Sequence, residues 1–355
     1  MNNTLSYFSE KLKIWSGYVL FTYVATHLLN HAFGLFSLEV MEAARRVFVG
    51  FWRSPPLNYV VVTTLVVHAL VAIAKTAKRK SFGGLSTKEW TQIGIGLFAP
   101  VMLIGHIMFT KVVHQVYGVD DTYGFYLLTG GYEVLFGGIL TMIMLWTHGV
   151  IGLDGVLSTK PWYPAWRQRL TIPAFLLPSL AVAGAISATH QVVLRAQLDP
   201  GFTARVYERL LARGFSVAVW KDAVSDQAKM YSLVYVGLLF LTFGVRYALL
   251  RWRRRRNLVS VQYPDGSEVH ISPGTSVLEA SLMGRIPHAH LCGGRGRCST
   301  CRVRVYEGRD RLAPPAPVEQ RVLRQIGAAE NIRLACQTYP RSDCRVYPIC
   351  RPTRT

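Results

Sequence analysis

No cysteine occurs before Cys292. All six lie beyond residue 290, so the preceding stretch can hold neither a disulfide nor a thiolate-bound metal. The pattern C-x-x-C-H is absent, which excludes covalent c-type haem attachment. Charge is scarce, at 17% of residues, and negative charge is scarcest, with 20 Asp and Glu against 40 Lys and Arg. The opening thirteen residues are too polar for a signal peptide, and the first apolar run lacks a clear cleavage site. No internal repeat and no low-complexity tract stands out. The formal charge of +20 does not indicate nucleic acid, because the Arg and Lys cluster at the ends of apolar runs, where membrane orientation places them.

Long uncharged runs are present instead. Half of the chain is apolar. Six runs stand near the ~20 residues that a membrane-spanning helix needs: about 14–36, 57–74, 90–109, 134–153, 172–188 and 231–250. Basic clusters flank them. Lys11 and Lys13 precede the first run, and Lys75, Lys78, Arg79 and Lys80 follow the second. Lys160, Arg167 and Arg169 lie between the fourth and fifth. Arg251, Arg253, Arg254, Arg255 and Arg256 follow the sixth. With six spans all four clusters fall on one side, which the positive-inside rule makes the cytoplasm. Both termini are then inside, in a multi-pass membrane protein. Arg45, Arg46, Arg53, Arg195, Arg205, Arg209 and Arg213 run against the rule. Residues 202–220 read as an amphipathic helix on the outer surface, and 117–126 as a solvated turn. The last Arg run reads as a stop and short connector.

Beyond that connector stands Leu-Cys-Gly-Gly-Arg-Gly-Arg-Cys-Ser-Thr-Cys. Cys292, Cys298 and Cys301 form C-x5-C-x2-C, and Cys336 follows. Four thiolates in this form are a [2Fe–2S] ligand set. Gly293, Gly294 and Gly296 allow a tight loop whose amides can donate to cluster sulfurs. Zinc also takes four thiolates, though its sites more often show two C-x-x-C knuckles. Residues 258–349 resemble a β-grasp [2Fe–2S] ferredoxin, with the cysteine spacing of the adrenodoxin-like branch. The local pattern suits that fold: a hairpin over 260–271 turning at Pro264-Asp265-Gly266, a helix at 275–283, a strand at 301–306, a helix at 318–326, and strands at 332–336 and 345–349. Cys344 and Cys350 fall outside the family's ligand pattern and read as a core residue or spare thiols.

The first four apolar runs carry histidines: His27 and His31, His68, His106, and His148. A single such residue is more often a hydrogen-bonded core group. Four consecutive runs at matched depths point to function. Counting from the inner ends at the helical rise, His68 and His148 lie roughly 9–11 Å in, His106 about 24 Å, and His27 and His31 about 20 and 26 Å. An inner pair from runs two and four, and an outer pair from runs one and three, fit bis-histidine ligation of two stacked b-type haems. Gly34, Gly105, Gly137, Gly138 and Gly149 make room for a macrocycle or for close helix packing alike. His114 and His190 read as interfacial.

This part is similar to the di-haem cytochrome b anchor of succinate dehydrogenases and fumarate reductases, over about residues 13–154. The phrase Thr26-His27-Leu28-Leu29-Asn30-His31 carries the likeness and favours His27 over His31 as ligand. The resemblance implies quinone exchange near a haem. The sixth run and the consecutive order of the ligand helices depart from that family. An anchor joined to a ferredoxin resembles the N-terminal half of a group of bacterial membrane-bound class III adenylate cyclases. No cyclase catalytic domain is expected within this chain, since Thr355 follows closely on the last predicted strand.

The expected architecture is therefore an all-α six-helix transmembrane bundle, residues 1–256, followed by a small α+β β-grasp ferredoxin-like domain, residues 257–355. The expected cofactors are a [2Fe–2S] cluster and two haems b. The expected partners are membrane lipid, quinone or quinol, and a cytoplasmic redox partner or cyclase output domain, with a homodimer if the chain anchors a cyclase. The expected role is electron transfer or redox sensing; a transporter with a zinc-binding tail is the alternative that predicts no colour.

Overall fold

The computed structural model describes residues 2–79, 82, 85–253 and 258–350. Lys80, Arg254, Arg255 and Arg256 lie outside the described residues, as does the predicted boundary at 256/257. Among the described residues, nine α-helices precede the first strand, rather than six. They are α1 Asn2–Ala32, α2 Leu38–Arg53, α3 Leu57–Lys78, α4 Thr87–Ile107, α5 Val113–Tyr117, α6 Tyr123–Leu157, α7 Tyr163–Leu198, α8 Pro200–Ala212 and α9 Val217–Arg253.

Five segments are long and apolar enough to cross a membrane by length and composition: Leu57–Lys78, Thr87–Tyr117, Tyr123–Leu157, Tyr163–Leu198 and Trp220–Trp252. Their outward faces carry Leu70, Phe136, Phe175 and Phe240, each more than 60% exposed, as lipid-facing residues are. The first predicted span lies in α1, a continuous helix that is not among the five.

The extra helices have local causes. Ser37 caps α2 by accepting from the Val40 amide, and that helix is amphipathic, so periodicity over an apolar window passes it by. A π-helical turn at Met108–Val112 separates α4 from α5. Gly118, at φ +63, ends α5. The stretch expected as a solvated turn is instead packed: Val119 and Phe125 are each 1% exposed, and Asp121 receives Arg45 and Arg53. Helix α6 begins eleven residues before the apolar run because Gly131 (φ +51) joins two helical stretches across a kink. The expected outer amphipathic helix is shorter than read. It ends at Ala212, and Gly214 turns the chain into α9.

Helix α1 lies at the centre, against α2, α3, α6 and α7, while α4 packs on α6 and α9. Where α1 runs out, Gly34 meets Gly184 of α7; a Cβ at either position would fall within 2.3 Å of backbone. Gly34 is thus a close-packing residue.

The C-terminal part is a mixed sheet with two helices: β1 Val259–Gln262, β2 Glu268–Ile271, α10 Val277–Met283, β3 Arg302–Glu307, α11 Pro317–Gln325, β4 Ile332–Leu334 and β5 Cys344–Pro348. The strand order is β2-β1-β5-β3-β4. Strands β1 and β5 are parallel; the other pairs are antiparallel. The hairpin turns at Gly266, φ +80. Val261, Ile271, Val277, Val303, Leu334 and Val346 form the core, and each such fully buried side chain contributes roughly 1.5–3 kcal/mol. Cys344 belongs to this core, at 4% exposure. The predicted strand at 332–336 stops at Leu334, and a 3-10 turn, Ala335–Gln337, carries Cys336.

Candidate metal centres

The loop between α10 and β3 carries three of the cysteines, and the turn after β4 brings the fourth beside them. Gly293, Gly294 and Gly296 all have positive φ, at +63, +78 and +64. Side chains rarely adopt that backbone, and a Cβ on Gly296 would also meet Val318 Cγ1 at 2.9 Å. Loop amides do donate to sulfur, among them that of Arg295, 3.3 Å from Cys292 Sγ, and those of Arg297 and Cys298; the predicted donation from the glycine amides is not among the described hydrogen bonds. Thr300 was not expected in the site. Its hydroxyl lies 3.1 Å from Cys298 Sγ and accepts from the Leu291 amide at 3.0 Å. Gln337 Nε2 stands 3.6 Å from Cys336 Sγ. No spacing rule points to either residue.

The thiols form two pairs. Cys301 Sγ lies 3.4 Å from Cys336 Sγ, and Cys298 hydrogen-bonds Cys292. In each pair the hydrogen bond between sulfurs favours one thiolate and one thiol. It holds Cys292 well below the usual thiol range and pushes Cys298 up. It also lowers Cys301 and raises Cys336. Among the described residues no three Cys, His, Asp or Glu side chains converge on one point. Two pairs, two thiolates to each iron, are the donor set of a two-iron cluster; four thiolates around one point are that of zinc.

Behind the loop, Glu319 is fully buried. It accepts from Arg333 Nε and Nη2 at 2.8 and 2.9 Å, and from the Leu334 amide at 2.8 Å. This fork ties α11 to β4 two residues before Cys336.

The cluster loop rests on the helices. Arg297 Nη2 donates to Glu10 Oε2 of α1 at 2.8 Å, and the same carboxylate receives Lys75 of α3. Glu89 accepts from Ser86 in a capping box that starts α4. It also faces His290 Nε2 at 3.6 Å, which raises the His290 pKa.

The helices bring the predicted histidines together in twos. His68 of α3 and His148 of α6 have ring centroids 6.3 Å apart at 86°. His27 of α1 and His106 of α4 stand 5.9 Å apart at 76°. His31 packs against His27 and Tyr123, and its Nδ1 has no hydrogen-bond partner. With metal–nitrogen bonds of about 2 Å, two imidazoles on opposite sides of one iron place their centroids about 6 Å apart, so both spacings fit a shared iron. Ser16 Oγ sits 3.0 Å from His68 Nδ1, which orients that ring. Among the described residues His148 Nδ1 has no hydrogen-bond partner, while its Nε2 lies 3.4 Å from Gln92 Nε2.

The glycines beside the inner pair are Gly17 and Gly96, neither expected. A Cβ on Gly96 would stand 2.8 Å from His148 Cε1, and one on Gly17 would stand 3.5 Å from His68 Cε1. Gly105, Gly137 and Gly138 face open space, and Gly149 faces Phe21. Helix α3 contributes no buried residue, and α4 only Ala99. His114 Nδ1 is 2.7 Å from Val119 O at a helix end, and His190 is exposed.

Residues 262–341 match the 2Fe-2S iron-sulfur cluster binding domain. The chain is 32% identical over 91 residues to the 2Fe-2S ferredoxin of Escherichia coli (strain K12), covering 25% of this chain and 82% of that one. It is 39% identical over 71 residues to Chlorosome protein I of Chlorobaculum tepidum, covering 19% of this chain and 29% of that one. It is also 26% identical over 117 residues to a subunit of the Na(+)-translocating NADH-quinone reductase of Methylococcus capsulatus, covering 33% of this chain and 27% of that one. The fold and the matched residues define a domain of the 2Fe-2S cluster-binding class. By its C-terminal domain, the chain belongs to the 2Fe-2S ferredoxin family. It spans less than a third of the chlorosome protein and of the reductase subunit.

Proposed function

We propose that this chain is a membrane-bound electron-transfer module joining a quinone pool, two haems b and a [2Fe–2S] cluster on the cytoplasmic side of a bacterial inner membrane. The carrying observation is the register along α1. Glu10 receives the cluster loop, Ser16 touches His68, and His27 faces His106. Three redox sites thus follow one another along a single helix. Cys292, Cys298, Cys301 and Cys336 hold the cluster, which supplies one-electron transfer. His68 with His148, and His27 with His106, hold the haems.

The two histidine spacings and the unpartnered His148 Nδ1 support the haem reading. Likeness to a subunit of an NADH-quinone reductase supports the quinone-linked setting. The protein's part is positional. Ser16 orients His68, Gly96 leaves His148 its place, and the ion pairs at Glu10 and Glu89 hold the cluster loop against the helix ends.

Visible spectra with haem and iron quantitation test the reading. The expected result is a b-type Soret and α band with two haems and two non-haem irons per chain. His68→Ala and His106→Ala should each remove about one haem. A preparation with no haem absorbance sinks the haem assignment and leaves the cluster standing.

A further inference from the structure

Four cations meet where the cluster loop rests on α1 and α3, with one carboxylate among them. Arg297 and Lys75 share Glu10. Lys13 lies one helical turn beyond Glu10 toward the inner histidines, and Ser16 Oγ stands 3.0 Å from both the Lys13 carbonyl and His68 Nδ1. Arg295 reaches toward α6, 3.6 Å from where a Gly155 Cβ would stand, two residues before the Arg297 that rests on Glu10.

Among the described residues, neither the Lys13 ammonium nor the Arg295 guanidinium has a hydrogen bond or ion pair. The neighbouring carboxylates are committed elsewhere: Glu89 to His290 and Arg79, and Asp154 to Lys88, Arg167 and the Tyr163 hydroxyl. Uncompensated charge in a half-buried seam is costly, and a bound anion removes that cost.

We infer that this seam is an oxyanion site in which Lys13 and Arg295 bind a carboxylate or phosphate group, with Lys75 and Arg297 adding positive field. Two occupants share that chemistry: the propionate edge of a macrocycle held by His68 and His148, or free inorganic phosphate. The first occupant rests on the haem reading above; the second does not. The site draws on both parts of the chain, so an anion in it fastens the cluster loop to the helix that touches His68.

The test uses the full chain in lipid nanodiscs, comparing wild type, K13Q, R295Q and the conservative K13R. If haem propionates occupy the site, K13Q and R295Q each lower retention of one haem several-fold and shift that haem's midpoint potential downward. K13R restores both, and the cluster's paramagnetic signal is unchanged in K13Q and K13R. If phosphate occupies it, calorimetric titration of wild type with inorganic phosphate shows binding that K13Q and R295Q weaken at least tenfold and K13R keeps. A wild type without haem removes the first occupant only, and the phosphate titration then decides. Variants equal to wild type in haem content, potential and phosphate affinity overturn the site.

Discussion

Arg297 and Glu10 are 287 residues apart in the chain and 2.8 Å apart in space. Their ion pair joins the cysteine loop to the end of α1 that leads to the histidines. At the helical rise, Ser16 and its partner His68 lie about 9 Å along α1 from that contact, and His27 lies about 16 Å further. Both partners are more than four-fifths shielded, so the charge-assisted bond contributes about 1.5 kcal/mol or more. Glu10→Gln should loosen the loop. Hydrogen exchange of the amides of residues 292–301 should then rise roughly tenfold, with the cluster retained. Unchanged protection there means the contact holds nothing.

The two sulfur pairs make a second expectation. Cys298→Ser should abolish the reduced cluster's paramagnetic signal, because it leaves one iron with a single thiolate. It should spare the haem spectrum, because His27, His68, His106 and His148 all lie on the N-terminal helices and none is in the loop. Cys350→Ser should alter neither. Its sulfur accepts from Arg302 Nη2 at 3.4 Å and belongs to neither thiol pair.

Two glycines separate packing from cofactor room. Gly96→Ala puts a methyl group 2.8 Å from His148 Cε1, inside any real contact distance, whereas Gly17→Ala puts one at an ordinary 3.5 Å from His68 Cε1. Haem content by pyridine haemochrome should fall by about one per chain in the first variant and stay unchanged in the second. Equal effects would mean that the ring position of His148 is not constrained from this side.

Glu319→Ala leaves Arg333 buried and unpaired and removes the acceptor of the Leu334 amide. Breaking such a pair costs about 3–5 kcal/mol. Thermal melting followed at the cluster's visible absorbance should show bleaching at markedly lower temperature. Glu319→Gln should fall between the two, since it keeps an acceptor.

Burial, then the neighbouring Asp343 carboxylate, pushes the Cys344 thiol up to about 11. The unfolded thiol ionises near 9. The folded state therefore keeps its proton where the unfolded chain loses it, and this contribution to stability is full below pH 9 and lost as pH rises towards 11. Denaturant midpoints of the full chain, read at the cluster absorbance, should fall over that window in wild type and fall less in Cys344→Ala. Alkylation at pH 8 should reach half-buried Cys350 well before Cys344.

The C-terminal domain was legible because its determinants are local. A Pro-Asp-Gly turn, alternating strands, a capped helix and a C-x5-C-x2-C loop each encode their own backbone, and together they admit few folds. Five of the six apolar runs were equally legible, since composition alone reveals them; the first, in α1, is not among the segments long and apolar enough to cross a membrane. Chain pattern could not supply what depends on packing between distant segments. Helix α2 and the buried stretch around Asp121 are polar enough to pass for solvent-exposed chain. They form because Ser37 caps one, and Arg45 and Arg53 neutralise the other. Depth along each run placed the histidines in layers. The tilt and rotation of neighbouring helices decided that His68 turns to His148 and His27 to His106, and that Gly17 and Gly96 are the glycines beside the inner pair. The docking of Arg297 on Glu10 had no signal in the sequence, because an ion pair between charges 287 residues apart is written only in the folded chain.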